Sequence, residues 1–369
     1  MTHGLTKSLA SLCLALGLLL VLPARSAAWG GEGHRIVAKI AKWRLEQLRD
    51  NNNDARAARA LARMQHIFAA DADIPQAPSN IESASIWPDN VRSVPRYRFA
   101  RPLHFVSIPL NPAQDRDRYV AASHCRPGEL PEGDCSVGAL EHYRKVLLDS
   151  DDPEELLEAL SFVIHFLGDL HQPLHNAEQQ QFQNDEKYDG GLGPGLGDKG
   201  GNLQYVFYLN HQLFNSSDPN SCGVDRNVCT DFYPSGAAIK NLHATWDKHM
   251  IQTEMATYRR PGTQQKAKST EAKYATFLQG ELPANPAAAR YAEIEAGGPA
   301  AWAEEAHDLA EKNAYDMPGP RPKTFPADGT TRQFFSVRPS YRNQNIRIVE
   351  SQLQKGGVRL ASFLMQSFD

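Results

Sequence analysis

His165 and Asp169 stand four residues apart in an apolar segment of helical periodicity, so the two side chains share one helix face. Pro173 breaks that helix, and the returning chain can bring His175 back beside them. His243 and Asp247 repeat the same step in a second segment. Imidazole nitrogens combined with carboxylate oxygens suit zinc far better than calcium, which takes oxygen ligands. One such pair means little, because most are ordinary polar residues of a helix surface. Two pairs with another histidine just past a helix break are much harder to explain that way. Further candidates lie upstream. Asp89 follows Ile86-Trp87-Pro88, and His104 opens the apolar run Phe105-Val106. Alone, Asp89 reads as a turn residue and His104 as a strand-end histidine. Trp29 and His34 flank Gly30, Gly31 and Gly33.

The segments that must position these residues are nearly all helical. Val37, Ile40, Ala41, Leu45 and Leu48 recur at three- and four-residue steps, which predicts a helix from Gly33 to Leu48. Ala57 to Ala70 is rich in alanine, a strong helix former. A helix starting at Pro153 has Asp152 as its cap, proline in its first turn and Glu154 and Glu155 at the positive end of its dipole. Further helices are expected over Ser235 to His249, Pro299 to Tyr315 and Asn345 to Phe368, and one strand over Leu203 to Leu209. Gln179 to Gly201 reads as irregular, and Pro261 to Pro286 as a surface excursion. The expectation is a single all-α domain, mainly helical, over residues 29–369, with at most a short β-hairpin.

The start of the chain carries an address. Behind Lys7, Leu9 to Leu22 form an apolar run without a charge, and Ser26-Ala27-Ala28 offers small residues for cleavage. This predicts a signal peptide over residues 1–28, a processed chain beginning at Trp29, and a secreted or periplasmic protein without a stable membrane anchor. In an oxidising compartment the even set Cys125, Cys135, Cys222 and Cys229 reads as disulfides. Each close pair lies in a Gly/Pro/Asp-rich stretch, so Cys125 is expected to join Cys135, and Cys222 to join Cys229. Asn215-Ser216-Ser217 is a glycosylation sequon that matters only in a eukaryotic secretory path. A net charge of −4 excludes clamping of duplex DNA by overall charge, and 41% apolar residues exclude wholesale disorder.

In chain order the motifs are Trp29-Gly30 with His34, Trp87-Pro88-Asp89, Leu103-His104-Phe105, and His165-x-x-x-Asp169 with His175. Asp198-Lys199-Gly200-Gly201-Asn202 and Asn241-Leu242-His243-x-x-Trp246-Asp247 follow. The ordered set resembles the zinc-dependent single-strand nucleases of fungi, plants and bacteria, a family that shares a superfamily with bacterial zinc phospholipases C. The resemblance runs from Trp29 to the final helix, where Gln352-Leu353 and Gly357-x-Arg359-Leu360-Ala361 also fit. It implies an all-α fold around three Zn2+. One zinc would take Asp89, His104, His165 and Asp169, and a second His175, His243 and Asp247. The third would take His34, Asp169 and the terminal amino and carbonyl groups of Trp29.

On this reading Asp89 and Asp169 are the catalytic carboxylates, acting with a zinc-bound hydroxide that attacks phosphorus in line. The implied substrates are single-stranded DNA and RNA and 3′-nucleotides, the products carry 5′-phosphates, and no obligate protein partner is called for. Phe105 is a candidate platform for a base, Asp134 for hydrogen bonds to a base edge, and Asn202 for fixing a ligand or substrate; core packing and turn capping explain Phe105 and Asn202 equally simply, and most loop aspartates such as Asp134 only solvate a turn. Two positions depart from the family pattern. Ser107 stands where many members have an acid, and His249 where some have asparagine. Both bear on substrate preference and pH optimum rather than on metal binding. His66, His124, His142, His171, His211 and His307 lack partner spacing and read as structural or exposed. The rival readings are a phospholipase C using the same metals, and a secreted zinc-binding protein without turnover. Asp247, where the phospholipases have glutamate, favours nucleic acid over lipid.

Overall fold

The computed structural model describes residues 29–110, 118–179, 197–208, 238–257, 267–317, 321–324, 331–337 and 339–369. Its longer helices are α1 (Gly31–Asn52), α2 (Ala55–Ala69), α3 (Ser136–Asp149), α4 (Pro153–Leu170), α5 (Met250–Thr257), α6 (Ala267–Gly280), α7 (Pro299–Leu309) and α8 (Pro339–Ser367). Short helices over Ile81–Ala84 and Trp87–Val91, and a 3-10 segment over Pro95–His104, fill the interval between α2 and α3.

Helix α4 is the axis of the molecule. Asp152 caps it by accepting the N–H groups of Glu154 at 2.9 Å and Glu155 at 3.0 Å. From Ala159 to Leu170 every residue is buried, polar ones included. An amphipathic surface helix would show polar residues on its outer face, so α4 is a core helix, packed against α1, α3 and α8. A buried polar face has to be satisfied from inside the protein, and that is where His165 and Asp169 sit.

The mainly helical architecture agrees with the sequence reading, but the β component is larger than the short hairpin expected. Four strands form one sheet in the order β2-β1-β4-β3: β1 (Tyr205–Tyr208), β2 (Ala238–Asn241), β3 (Arg321–Thr324) and β4 (Thr331–Val337). Strand β1 runs antiparallel to β2 and parallel to β4, while β3 and β4 pair antiparallel. A four-residue strand has no periodicity of its own to read, and its partners lie far away in the chain.

Pairing with β1 also corrects the helix expected from Ser235. Residues 238–241 are strand, and helical structure starts at Leu242, where Asn241 caps it by accepting the Ala244 N–H at 2.6 Å. A π-helical turn over Thr245–His249 then leads into α5. The stretch from Pro261 to Pro286 is not a plain surface excursion either, since it holds α6, whose Tyr274 and Leu278 are buried. The Tyr274 hydroxyl donates to Glu350 on α8 at 3.1 Å. Its Ala/Gln/Lys composition hides how few apolar side chains suffice to dock a helix.

Cys125 and Cys135 are joined by a disulfide as expected. Cys222, Cys229, Asn215 and the leader lie outside the described residues. No described helix is long and apolar enough to cross a membrane.

Candidate metal centre

Three groups of His and Asp side chains converge, each with its donor atoms within 4.8 Å of one another: His34, His165 and Asp169; Asp89, His104 and His165; and His175, His243 and Asp247. All the aspartates and histidines singled out for metal binding are thus gathered, from six separate segments.

Helix α4 supplies the hub. Asp169 Oδ2 lies 3.0 Å from His104 Nδ1 and 3.3 Å from His165 Nε2, while its Oδ1 lies 3.1 Å from His34 Nε2. One carboxylate therefore faces two donor groups, one with each oxygen. His34 comes from α1 and stacks on the His165 ring with centroids 3.9 Å apart. That approach depends on Gly168, because a Cβ there would lie 2.8 Å from His34 Nδ1. Trp29 is fully buried beside His34, and the Gly30 N–H donates to the Asp247 backbone carbonyl at 2.9 Å. The segment ahead of α1 is thereby tied to the π-helical turn that carries Asp247.

The outer nitrogens of three histidines are fixed by backbone carbonyls. His165 Nδ1–H donates to Ser85 at 2.7 Å, His175 Nδ1–H to His104 at 2.6 Å, and His243 Nδ1–H to Gly200 at 2.7 Å. A carbonyl only accepts, so Nδ1 carries the proton and Nε2 keeps its lone pair. These lone pairs point at other nitrogens: His165 Nε2 lies 3.1 Å from His104 Nδ1, and His243 Nε2 lies 3.0 Å from His175 Nε2. In the second pair both Nε2 atoms keep their lone pairs, and these repel each other unless a cation stands between them. His34 Nδ1 and Nε2, His104 Nε2 and Asp169 Oδ1 are buried without a hydrogen-bond partner, a condition that native interiors rarely tolerate. These orphaned donors fit metal binding, and the arrangement of an inward lone pair with an outward N–H to a carbonyl is the one metal-ligating histidines use.

Electrostatics agree. Burial, then the neighbouring His165, lowers His34 to about 4. Burial, then His175, lowers His243 to about 3. Both imidazoles are held neutral, the form that binds metal. Burial works against the Asp169 carboxylate, but His165, His104 and His34 outweigh it and hold it well below the usual range.

Several participants were not legible in the chain. Arg92, one helical turn after Asp89, places its guanidinium 3.2 Å from Oδ1 of that residue; the three-residue spacing was the available signal. Gln172 donates to Asp247 from a fully buried position. Gly200 presents its carbonyl to His243 from a left-handed turn, with φ of 54° at Lys199, 61° at Gly200 and 80° at Gly201. A Cβ at Gly200 would meet the Leu174 carbonyl oxygen at 2.3 Å, so only glycine fits.

The candidate substrate residues divide. Phe105, adjacent to the buried His104, is 44% exposed. Ser107 is half-buried, on a segment whose backbone joins that of residues 175–178. His249 is half-buried at the end of the π-helical turn. Asp134 turns inward on its own loop, accepting the N–H groups of Glu129 at 3.0 Å and Leu130 at 2.9 Å. Asn202 donates to the Lys199 carbonyl at 2.8 Å within its turn.

A largely buried set of imidazoles and carboxylates, carried by a mainly helical core and flanked by an exposed aromatic ring, forms a candidate metal centre of the kind that suits a hydrolase. The chain belongs to the S1/P1 nuclease family, whose sequence model it matches over residues 29–369. Endonuclease 4 of Arabidopsis thaliana is 25% identical over 92% of this chain and 89% of its own length. Nuclease P1 of Penicillium citrinum is 24% identical over 91% of this chain and 96% of its own. Nuclease S1 of Aspergillus oryzae is 30% identical over 46% of this chain and 53% of its own. The protein is thus a hydrolytic nuclease, and the lipid and non-catalytic readings fall away.

Proposed function

We propose that the protein is an exported nuclease that uses three zinc ions to cut single-stranded DNA and RNA into 5′-phosphorylated nucleotides and to release phosphate from 3′-nucleotides. The observation that carries this reading is the convergence of all eight His and Asp side chains into three compact donor groups, with His34, His104 and Asp169 keeping buried atoms that have no hydrogen-bond partner. The first zinc would be held by Asp89, His104, His165 and Asp169, and the second by His175, His243 and Asp247. The third would be held by His34, Asp169 and the amino and carbonyl groups of Trp29. Zinc bound at these residues supplies Lewis-acid activation of water and neutralises charge on the phosphodiester.

The chain's own groups do the rest. Asp169 presents one oxygen to each of two donor groups and sets the spacing between them. Arg92, beside Asp89, offers a fixed positive charge for a phosphate oxygen. Phe105 offers its exposed face for stacking on a base, which is tolerant of sequence and requires the base to be unpaired. The Ser107 hydroxyl can hydrogen-bond water but is no base for its proton. Export rests on Lys7, the Leu9 to Leu22 run and the small residues before Trp29.

Incubation with single-stranded DNA, the matching duplex, RNA and a 3′-nucleotide, each with and without chelator, tests the reading. Chelator-sensitive hydrolysis of all but the duplex is the expected result. Equal rates on duplex and single strand would overturn the single-strand specificity, and chelator-insensitive cutting would overturn the metal.

A further inference from the structure

Gln172 is fully buried, and both ends of its amide are used. Its Oε1 accepts the Leu174 N–H at 2.6 Å, capping the 3-10 turn Pro173–His175 that delivers His175. Its Nε2 donates to Oδ1 of Asp247. The other oxygen of that carboxylate, Oδ2, lies 3.3 Å from His243 Nε2, facing the inner nitrogens.

We infer that Gln172 is the positioning residue of the His175–His243–Asp247 group, setting the turn that carries one ligand and the rotation of the carboxylate that supplies another. The polarity of the amide is forced. The Leu174 N–H needs an acceptor, so oxygen must face the turn, and the NH2 group is left facing a carboxylate that only accepts. Because Oδ1 is occupied, Oδ2 alone is turned towards the histidines. Glutamate has the same shape but would set a second carboxylate against Asp247. Methionine has a similar length but neither caps the turn nor donates.

The inference rests on the reading of this group as a zinc site. The test uses the full processed chain and its Gln172→Glu, Gln172→Met and Asp247→Asn variants, with zinc content followed by elemental analysis against graded concentrations of a competing chelator. Native protein that binds no zinc would defeat the zinc reading itself. If native protein binds zinc, Gln172→Glu and Gln172→Met are each expected to release one ion per chain about 10–100-fold more easily than native, with the remaining ions unchanged. Combining either with Asp247→Asn is expected to add little further release, because both act on one site. Native-like retention of every ion in both variants overturns the role of Gln172. So does uniform weakening of all ions with loss of helical circular dichroism in both variants, which would make it a general folding residue.

Discussion

The backbone carbonyl of His104 accepts the Nδ1–H of His175 at 2.6 Å, across 71 positions of chain. His104 thereby serves two donor groups, its ring facing Asp169 and His165 and its carbonyl fixing the tautomer of His175. The groups are mechanically joined, and Gly30, bonded to the Asp247 carbonyl, ties in the third.

Asp169→Asn is expected to be the most damaging single substitution. It keeps the volume but halves the acceptor capacity of a side chain that presents one oxygen to each of two groups. Activity should fall by at least about 100-fold, with zinc lost from both groups. Asn202→Ala, which removes a hydrogen bond within its turn and a long one from Asn241, should stay within about 10-fold of native. Parallel rate and zinc measurements check this, and comparable losses would show that Asp169 is not shared.

One extra methionine ahead of Trp29 is expected to lower the zinc content by one ion. A free α-amino group, with an ordinary pKa of about 7.7–8.0, can yield its proton to zinc near neutrality, whereas an amide nitrogen is delocalised into its carbonyl. Turnover should drop sharply while KM changes little. Equal zinc content and equal rate would remove Trp29 from the site.

Phe105→Ala is expected to weaken oligonucleotide binding by about 1–3 kcal/mol and leave a simple aryl phosphodiester nearly unaffected. At 44% exposure the ring contributes little to the core, so the melting temperature should hold. Equal losses on both substrates would mean that Phe105 shapes the site by packing.

The metal-free protein is expected to lose stability as pH falls from about 6.5 towards 4. Burial lowers His34 to about 4 and His243 and His171 to about 3, the last also through Arg359, from an ordinary 6.5. Between those values the unfolded chain binds more protons than the folded one, so acid favours unfolding, and above 6.5 the difference vanishes. His175 and His124, also lowered by burial, add to the trend, while His165, raised because Asp169 outweighs burial, and the carboxyls of Asp198, Glu271, Glu295 and Glu350, raised by burial, oppose it. Thermal melts from pH 7.5 to 4 after chelation check this, and a melting temperature that rises on acidification would contradict it.

What the sequence determined by itself is local. The four-residue steps from His165 to Asp169 and from His243 to Asp247 place each pair on one face of a helix, because 3.6 residues make a turn. Asp152-Pro153-Glu154-Glu155 starts α4 where the structure starts it, through capping and dipole terms that act within one turn. The close spacing of Cys125 and Cys135 made their bond the economical pairing, as found. Tertiary structure decided everything that joins distant segments. The sheet forms because β1 finds β4 more than a hundred residues later, and pairing on the other edge of β1 turned the start of an expected helix into strand β2. The carbonyls of Ser85, His104 and Gly200 became acceptors for imidazoles that no periodicity associates with them. Backbone carbonyls are chemically identical along the chain, so only the folded path selects which of them orients a ligand.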